Sequence, residues 1–299
     1  RHEDWERAQK FVNQFCFSAE DRRKCLEGII KCAYDYKKDI SEKAIVLQHK
    51  EKEELLVLPY NTRFSDSYLD NLLDKLDRIK WKFMRLGGRH SMLTVTLDPN
   101  RYLTLGSYRI ARKQISELLR RIKRKFKPRA YLCVSELHHG EKAYGQVHFH
   151  ILLVGVMFIP LDWLKEQIKA LELGNENIKE VRGSGADAVS YFTKYVRKSL
   201  KELDKDSGKS LYELFHEENG SNSENDKIPE LLALLWALDM RFFSYSRSCL
   251  ESDPRGITRL ILHQWIYVGV YPAVLFHPIP TKIIDPDECW RILQSKPPP

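Results

Sequence analysis

His148 and His150 flank one bulky apolar residue, Phe149, and lead into the apolar run Ile151-Leu152-Leu153-Val154. In a β-strand successive side chains point to opposite faces, so the two imidazoles share one face while Phe149 and Ile151 take the other. Two imidazoles side by side above a sheet begin a metal site; they are also what half-buried strand histidines look like when neighbours satisfy them. What else converges on them decides between the two. The apolar segment Ala130 to Leu137 reads as a strand with Glu136 near its end, and the polar stretch His138 to Gly145 joins it to the histidine strand as an antiparallel hairpin. Across that hairpin Glu136 comes close to His148 and His150. A carboxylate and two imidazoles make a three-ligand set with open positions for substrate. The bland alternative for Glu136 is a surface carboxylate on an edge strand; its place at the end of an apolar strand favours the ligand. His138 shares the face of Glu136 and is either a fourth ligand or a support for the others, while His139 faces solvent.

A second constellation lies in Asp187 to Leu200. At 3.6 residues per turn, Val189, Phe192, Val196 and Leu200 form one stripe of a helix, and Tyr191, Tyr195 and Lys198, with Lys194 slightly rotated, form another. The first stripe is the core face, so the two tyrosines stand off the core, one turn apart. Without further context they are snorkelling tyrosines on a lysine-rich surface. A third constellation is cationic. The expected helix Ser107 to Phe126 puts Ile110, Ile115, Leu118, Leu119 and Ile122 on its core side. Its other positions hold Arg112, Lys113, Arg120, Arg121, Lys123, Arg124 and Lys125, with Glu117 as the one acid among them. Charge of one sign at this density suits a phosphate backbone, whose condensed counterions it would release, better than a solvated face of mixed sign.

The elements that must hold these groups follow from apolar patterning. Residues Asp4 to Tyr36 read as a small helical unit without chemistry of its own. Ala44 to Leu47 and Leu55 to Leu58 are short apolar runs, each a possible strand. Ser65 to Leu86 reads as a helix with the stripe Leu69, Leu72, Leu73, Leu76, Ile79 and Phe83, ended by Gly87-Gly88. His90 to Pro99 alternates as a strand. Asp162 is expected to cap a helix Trp163 to Leu173 ended by Gly174, and Ile178 to Val181 reads as a short strand. Lys201 to Glu230 is polar and charged and reads as a flexible insertion. Trp265 to Val274 suggests a hairpin on the core.

Composition bounds the partners. The chain has 299 residues and a formal charge of +8, a balance that favours polyanions, nucleic acid first. Six cysteines show no Cys-x-x-Cys pair, which argues against a zinc knuckle and for reduced, mostly buried thiols in an intracellular protein. The apolar stretch Ile257 to Pro278 is broken by Arg259, His263, Gln264 and Pro272 and reads as strand and loop rather than a membrane span. No signal peptide is visible, and a start at Arg1 rather than Met is what a fragment would show.

The strand Met92-Leu93-Thr94-Val95-Thr96, an acid-bearing strand, His148-Phe149-His150, and then Tyr191-Phe192-Thr193-Lys194-Tyr195-Val196-Arg197-Lys198 occur in that order. In this the chain resembles the HUH endonuclease superfamily, and within it the two-tyrosine rolling-circle replication initiators of single-stranded DNA phages and archaeal plasmids. Leu235 to Arg247 is similar to the helix and strand that follow the tyrosine helix there. The likeness covers roughly residues 89 to 247. Relatives often carry a proline or other residues where this chain has Gln146-Val147.

The resemblance implies an α+β fold, a central antiparallel β-sheet of the HUH/ferredoxin-like kind with a metal on one face and helices on the other. It implies domains over residues 1–60 (an N-terminal helical extension), 61–250 (the nuclease, with 201–230 inserted) and 251–299 (a β-rich extension packed on the core). It implies that a tyrosine attacks a scissile phosphodiester of single-stranded DNA, leaving a 5′-phosphotyrosine and a free 3′-hydroxyl. Tyr191 is expected first because of Lys194, although Tyr195 and Lys198 repeat the pattern. Lys194 or Lys198 would lower the phenol pKa or bind phosphate. Glu136, His148 and His150 would hold Mn2+ or Mg2+. The partners implied are single-stranded DNA at a replication origin, a separate helicase (no Gly-x-x-x-x-Gly-Lys-Ser/Thr loop is present) and host replication proteins, with no membrane and a cytoplasmic location. Alternatives are a Helitron-like single-strand transposase with the same chemistry, and a non-catalytic nucleic-acid-binding protein.

Overall fold

In the computed structural model the described residues are 2–60, 62–64, 66–86, 89–138, 140–181, 228, 230–246, 265–272, 275 and 283–284. They form two compact units, one of residues 1–34 and 69–251, the other of residues 35–68 and 252–299.

The first unit is α+β and is built on a five-stranded antiparallel sheet. Its strands are β3 (His90–Leu97), β4 (Ala130–Leu137), β5 (Val147–Val154), β6 (Gly174–Val181) and β7 (Phe243–Tyr245), in the order β6-β3-β5-β4-β7; β1 and β2 belong to the second unit. Helices α1 (Glu3–Val12), α2 (Ala19–Ser41), α3 (Asp66–Leu86), α4 (Tyr108–Phe126), α5 (Leu161–Ala170) and α6 (Glu230–Ala237) complete the described helices. The antiparallel sheet with packed helices is the fold class that the sequence led us to expect.

Alternation along the strands gives the sheet two faces of different character. Leu93, Val95, Leu97, Cys133, Leu137, Val147, Phe149, Ile151 and Leu153 are all buried on one face. Helix α4 lies on that side: Arg112 reaches Cys133 Sγ at 3.8 Å, and its guanidinium sits 5.9 Å from the Phe149 ring centroid. The helix forms because Tyr108, Ala111, Ile115, Leu118, Leu119 and Ile122 recur at helical spacing, and all are buried. It ends where Lys127 turns left-handed at φ 50° and donates its backbone N–H to Lys123. Helix α6 is apolar throughout and buried. Its last carbonyls are taken up by other elements: Gln9 and Arg109 donate to Ala237 O, and Arg109 donates to Leu238 O.

Several boundaries move. Helix α5 spans Leu161–Ala170 rather than starting at Trp163, because Pro160 takes the cap position and Asp162 lies in the first turn. Gly174 does not end that helix; it opens an eight-residue strand, β6, longer than the Ile178–Val181 expected. Alternating Asn, Glu and Lys hides such a strand from any reading based on apolar residues.

The second unit carries a four-stranded sheet in the order β8-β1-β2-β9, formed by β1 (Lys43–His49), β2 (Leu55–Pro59), β8 (Trp265–Pro272) and β9 (Ile283–Ile284). Both short apolar runs near the N-terminus are strands. Trp265 to Pro272 is one strand rather than a hairpin, and it pairs with β1 through a bulge between Val46 and Leu47. Ala44, Val46, Leu55, Val57 and Leu275 make its core. Residues 35–60 and 252–299 thus share one unit, instead of standing as separate extensions at either end.

Candidate active site

The second face of the five-stranded sheet holds the groups that can do chemistry. Register fixes their order. Glu136 pairs with His148, which pairs with Thr96; in the next row Val134 pairs with His150, which pairs with Thr94. Antiparallel partners share a face, so Glu136, both imidazoles and both threonine hydroxyls are gathered there. The hairpin that joins β4 to β5 is closed by His138 N donating to Gln146 O at 2.8 Å and by Gly145, at φ 74°. A left-handed turn at that point is what glycine permits without strain. An added Cβ at Gly145 would meet Arg22 and Leu26 at 3.1 Å.

His150 Nε2 and Glu136 Oε2 lie 2.6 Å apart, with both side chains nearly buried. Thr94 Oγ1 stands 3.1 Å from His150 Nδ1, and Thr96 Oγ1 stands 3.0 Å from His148 Nδ1. The two imidazoles are near-parallel, with centroids 6.5 Å apart, and His138 stacks on His148 at 5.2 Å. A threonine hydroxyl on each Nδ1 can receive the ring proton there. That tautomer leaves the Nε2 lone pair for a metal, the arrangement that oriented histidine ligands use. Sequence reasoning found the carboxylate and the histidines but missed Thr94 and Thr96. The signal was present: Thr-x-Thr on one strand has the same two-residue period as His-x-His on the next.

The donor set of one carboxylate and two imidazoles fits a divalent ion in its chemistry. Its spacing is that of a hydrogen-bonded pair. Ligands at about 2.1 Å from an ion on neighbouring corners stand roughly 3 Å apart, so Glu136 and His150 must part by a few tenths of an ångström to share one. Among the described residues no group of three or more His, Cys, Asp or Glu side chains is already gathered at metal-binding distance.

Tyr191, Tyr195, Lys194 and Lys198 lie outside the described residues, as does the insertion expected over 201–227. The cationic residues of α4 are described, and they lie on the helix side of the sheet, behind the histidine face. Their environments differ. Arg112 is turned inward to Cys133 and Phe149. Arg120 and Arg121 clamp Glu117 at 2.5 and 2.9 Å, which holds its carboxyl far down, at about 2, through hydrogen bonds from Arg120 first and Arg121 second. Lys125 lies over the Trp163 ring at 4.9 Å. Lys113, Lys123 and Arg124 are exposed. A cleft of about 640 Å³ runs along β6, lined among others by Ser91, Phe158, Asn177 and Lys179; it does not include the histidines.

Four described cysteines, Cys16, Cys25, Cys32 and Cys133, are buried free thiols, as expected. Burial pushes the Cys16 thiol up to about 12, with Cys25 adding to the shift. Among the described residues no helix is long and apolar enough to cross a membrane.

Residues 90–200 match the model of a family of replication-associated proteins, the ORF2 family of rolling-circle replication initiators. The matched stretch begins on the first residue of β3 and takes in α4, the hairpin with Glu136, His148 and His150, and the segment with both tyrosines. No curated protein and no solved structure matches the chain.

Proposed function

We propose, from the premise that residues 90–200 are a replication-associated segment of the ORF2 family, that the chain is a metal-dependent, site-specific endonuclease and strand transferase for single-stranded DNA that initiates rolling-circle replication. The observation that carries this reading is the row of Glu136, His148 and Thr96 beside that of His150 and Thr94, which concentrates a carboxylate and two oriented imidazoles on one face. A bound divalent ion, Mn2+ or Mg2+, would polarise the scissile phosphate and stabilise charge on it in the transition state.

The chain's own residues do the rest. Glu136, His148 and His150 hold the ion. Thr94 and Thr96 keep the rings turned so that Nε2 faces it. Tyr191 or Tyr195 supplies the phenol oxygen that bonds to phosphorus as the bond from phosphorus to the 3′-oxygen breaks. The 3′-oxygen leaves as a hydroxyl, and the phenol proton balances it. Phenol has a pKa of about 10 and is a weak nucleophile at neutral pH, so Lys194 or Lys198 serves to favour its anion. Two tyrosines one turn apart allow a relay, one holding a 5′ end while the other cuts again. A separate helicase and host replication proteins would supply the unwinding and synthesis.

The test is a covalent protein–DNA adduct formed on single-stranded oligonucleotides with Mn2+. The expected result is an adduct from the unaltered chain, loss of it in Tyr191→Phe with Tyr195→Phe, and loss in His148→Ala. An unaltered chain that forms no adduct on any single-stranded oligonucleotide it binds would sink the proposal. Full activity in the double tyrosine variant would instead leave a nucleic-acid-binding protein whose tyrosines are structural.

A further inference from the structure

Two rows of side chains on the histidine face end on amides. One row runs Glu136, His148, Thr96, Asn175, and the next runs Val134, His150, Thr94, Asn177. Lys179 follows on the same face, opposite Met92. All three outer residues belong to β6, which is an edge of the sheet among the described residues, and all three are exposed. Neighbouring strands lie about 4.8 Å apart, so each amide stands roughly 10 Å from the histidine of its own row. At the stacked spacing of about 3.4 Å that is about three nucleotides of one strand, and fewer if the strand is stretched.

Packing does not account for these amides. Asn is depleted in strands, where it fills the pleated surface poorly. An edge is ordinarily protected by charge, which β6 already carries in Glu176, Lys179 and Glu180. Asn175 and Asn177 add no charge to that protection, and no hydrogen bond among the described residues engages either side chain. A carboxamide offers one acceptor and two donors. It therefore matches the mixed edge of a nucleobase, whereas a phosphate only accepts.

The geometry points to Asn175 and Asn177 as base-reading residues. They hydrogen-bond unstacked bases of single-stranded DNA a few nucleotides from the phosphate held at Glu136, His148 and His150, while Lys179 takes an adjoining phosphate. Single-stranded bases expose the edges that a duplex hides, so a flat, polar strand can read them without entering a groove. This inference rests on the reading of the chain as a single-strand DNA endonuclease, and it adds where the sequence preference of such an enzyme is written.

The test starts by selecting a preferred sequence from single-stranded oligonucleotides with a randomised core, using the full chain. Binding of the selected oligonucleotide and of its single-base changes is then measured by fluorescence anisotropy. Asn175→Ala and Asn177→Ala should each lose about tenfold discrimination at one or two positions and keep it elsewhere. Asn177→Thr, a better strand former, should relax the same position, which separates lost reading from lost folding. Lys179→Ala should weaken binding to every sequence alike and flatten its salt dependence. Variants that discriminate as the unaltered chain does at every position would overturn the inference, as would an unaltered chain that selects no sequence. Adduct formation is a separate readout. Its absence with position-specific loss of discrimination removes the proposed chemistry alone, and its presence with unchanged discrimination removes the base-reading role alone.

Discussion

Glu136, His148 and His150 depend on two hydroxyls as much as on themselves. An imidazole has two nitrogens, and the partner of one sets the state of the other. Valine matches threonine in shape and lacks the hydroxyl, so Thr94→Val with Thr96→Val should keep the strand and release both rings. Mn2+ binding, measured by calorimetry without DNA, should weaken about tenfold to a hundredfold. The serine pair should restore most of it. Unchanged affinity would mean that packing alone orients the rings. His90 presents a different case on the same strand. It is fully buried, neither ring nitrogen has a hydrogen-bond partner among the described residues, and burial lowers its pKa. The folded state resists protonating it, whereas the unfolded chain takes up the proton near its ordinary value of about 6.5. Stability from this residue is therefore complete above that value and is lost as pH falls toward the lowered folded pKa. His90→Phe should flatten the acid limb of a plot of urea midpoint against pH, and an unaltered limb would assign it to other groups.

Elements explain which residues were legible. Strands β3, β4 and β5 could be read because buried β-branched and aliphatic runs have few other uses, and the hairpin between β4 and β5 followed from their closeness in sequence. The site was legible to the same extent: its carboxylate and histidines were found, and the threonines were missed because ordinary strand residues carry no chemical flag. Strand β6 was half missed, since an edge strand with exposed Asn, Glu and Lys lacks an apolar pattern. Its backbone approach is nonetheless close. A Cβ added at Gly174 would lie 2.2 Å from Thr96 O and 2.7 Å from Asp98 N. Gly174→Ala should cost about 1–3 kcal/mol in denaturant unfolding, as overpacking does, by pushing β6 away from β3. It should blunt base discrimination at the same time. On the opposite face Phe149 is wholly buried, and Phe149→Ala should cost about 3–5 kcal/mol. Helix α4 showed its core stripe plainly in the sequence. What the sequence did not show is that Arg112 folds under the sheet and that Glu117 occupies two of the other arginines.

At the scale of the whole molecule, charge and topology matter most. A net +8 should make binding to any DNA fall steeply with salt. If the exposed end of α4 touches backbone, Lys123→Ala with Arg124→Ala and Lys125→Ala should reduce the slope of log affinity against log salt by about two to three, the value for three phosphate contacts. An unchanged slope would assign those cations to solvent. The division into two units has a consequence in time rather than space. Strands β1 and β2 are made early, but β8 and β9, which flank them in the four-stranded sheet, come from the far end of the chain. At about 5–20 residues per second, the roughly two hundred residues between β2 and β8 take about ten to forty seconds to synthesise. For that interval the nascent hairpin of β1 and β2 must persist with both outer edges open. Its short length and the charges of the turn, Lys50 to Glu54, are what it has to discourage other strands from adding to it.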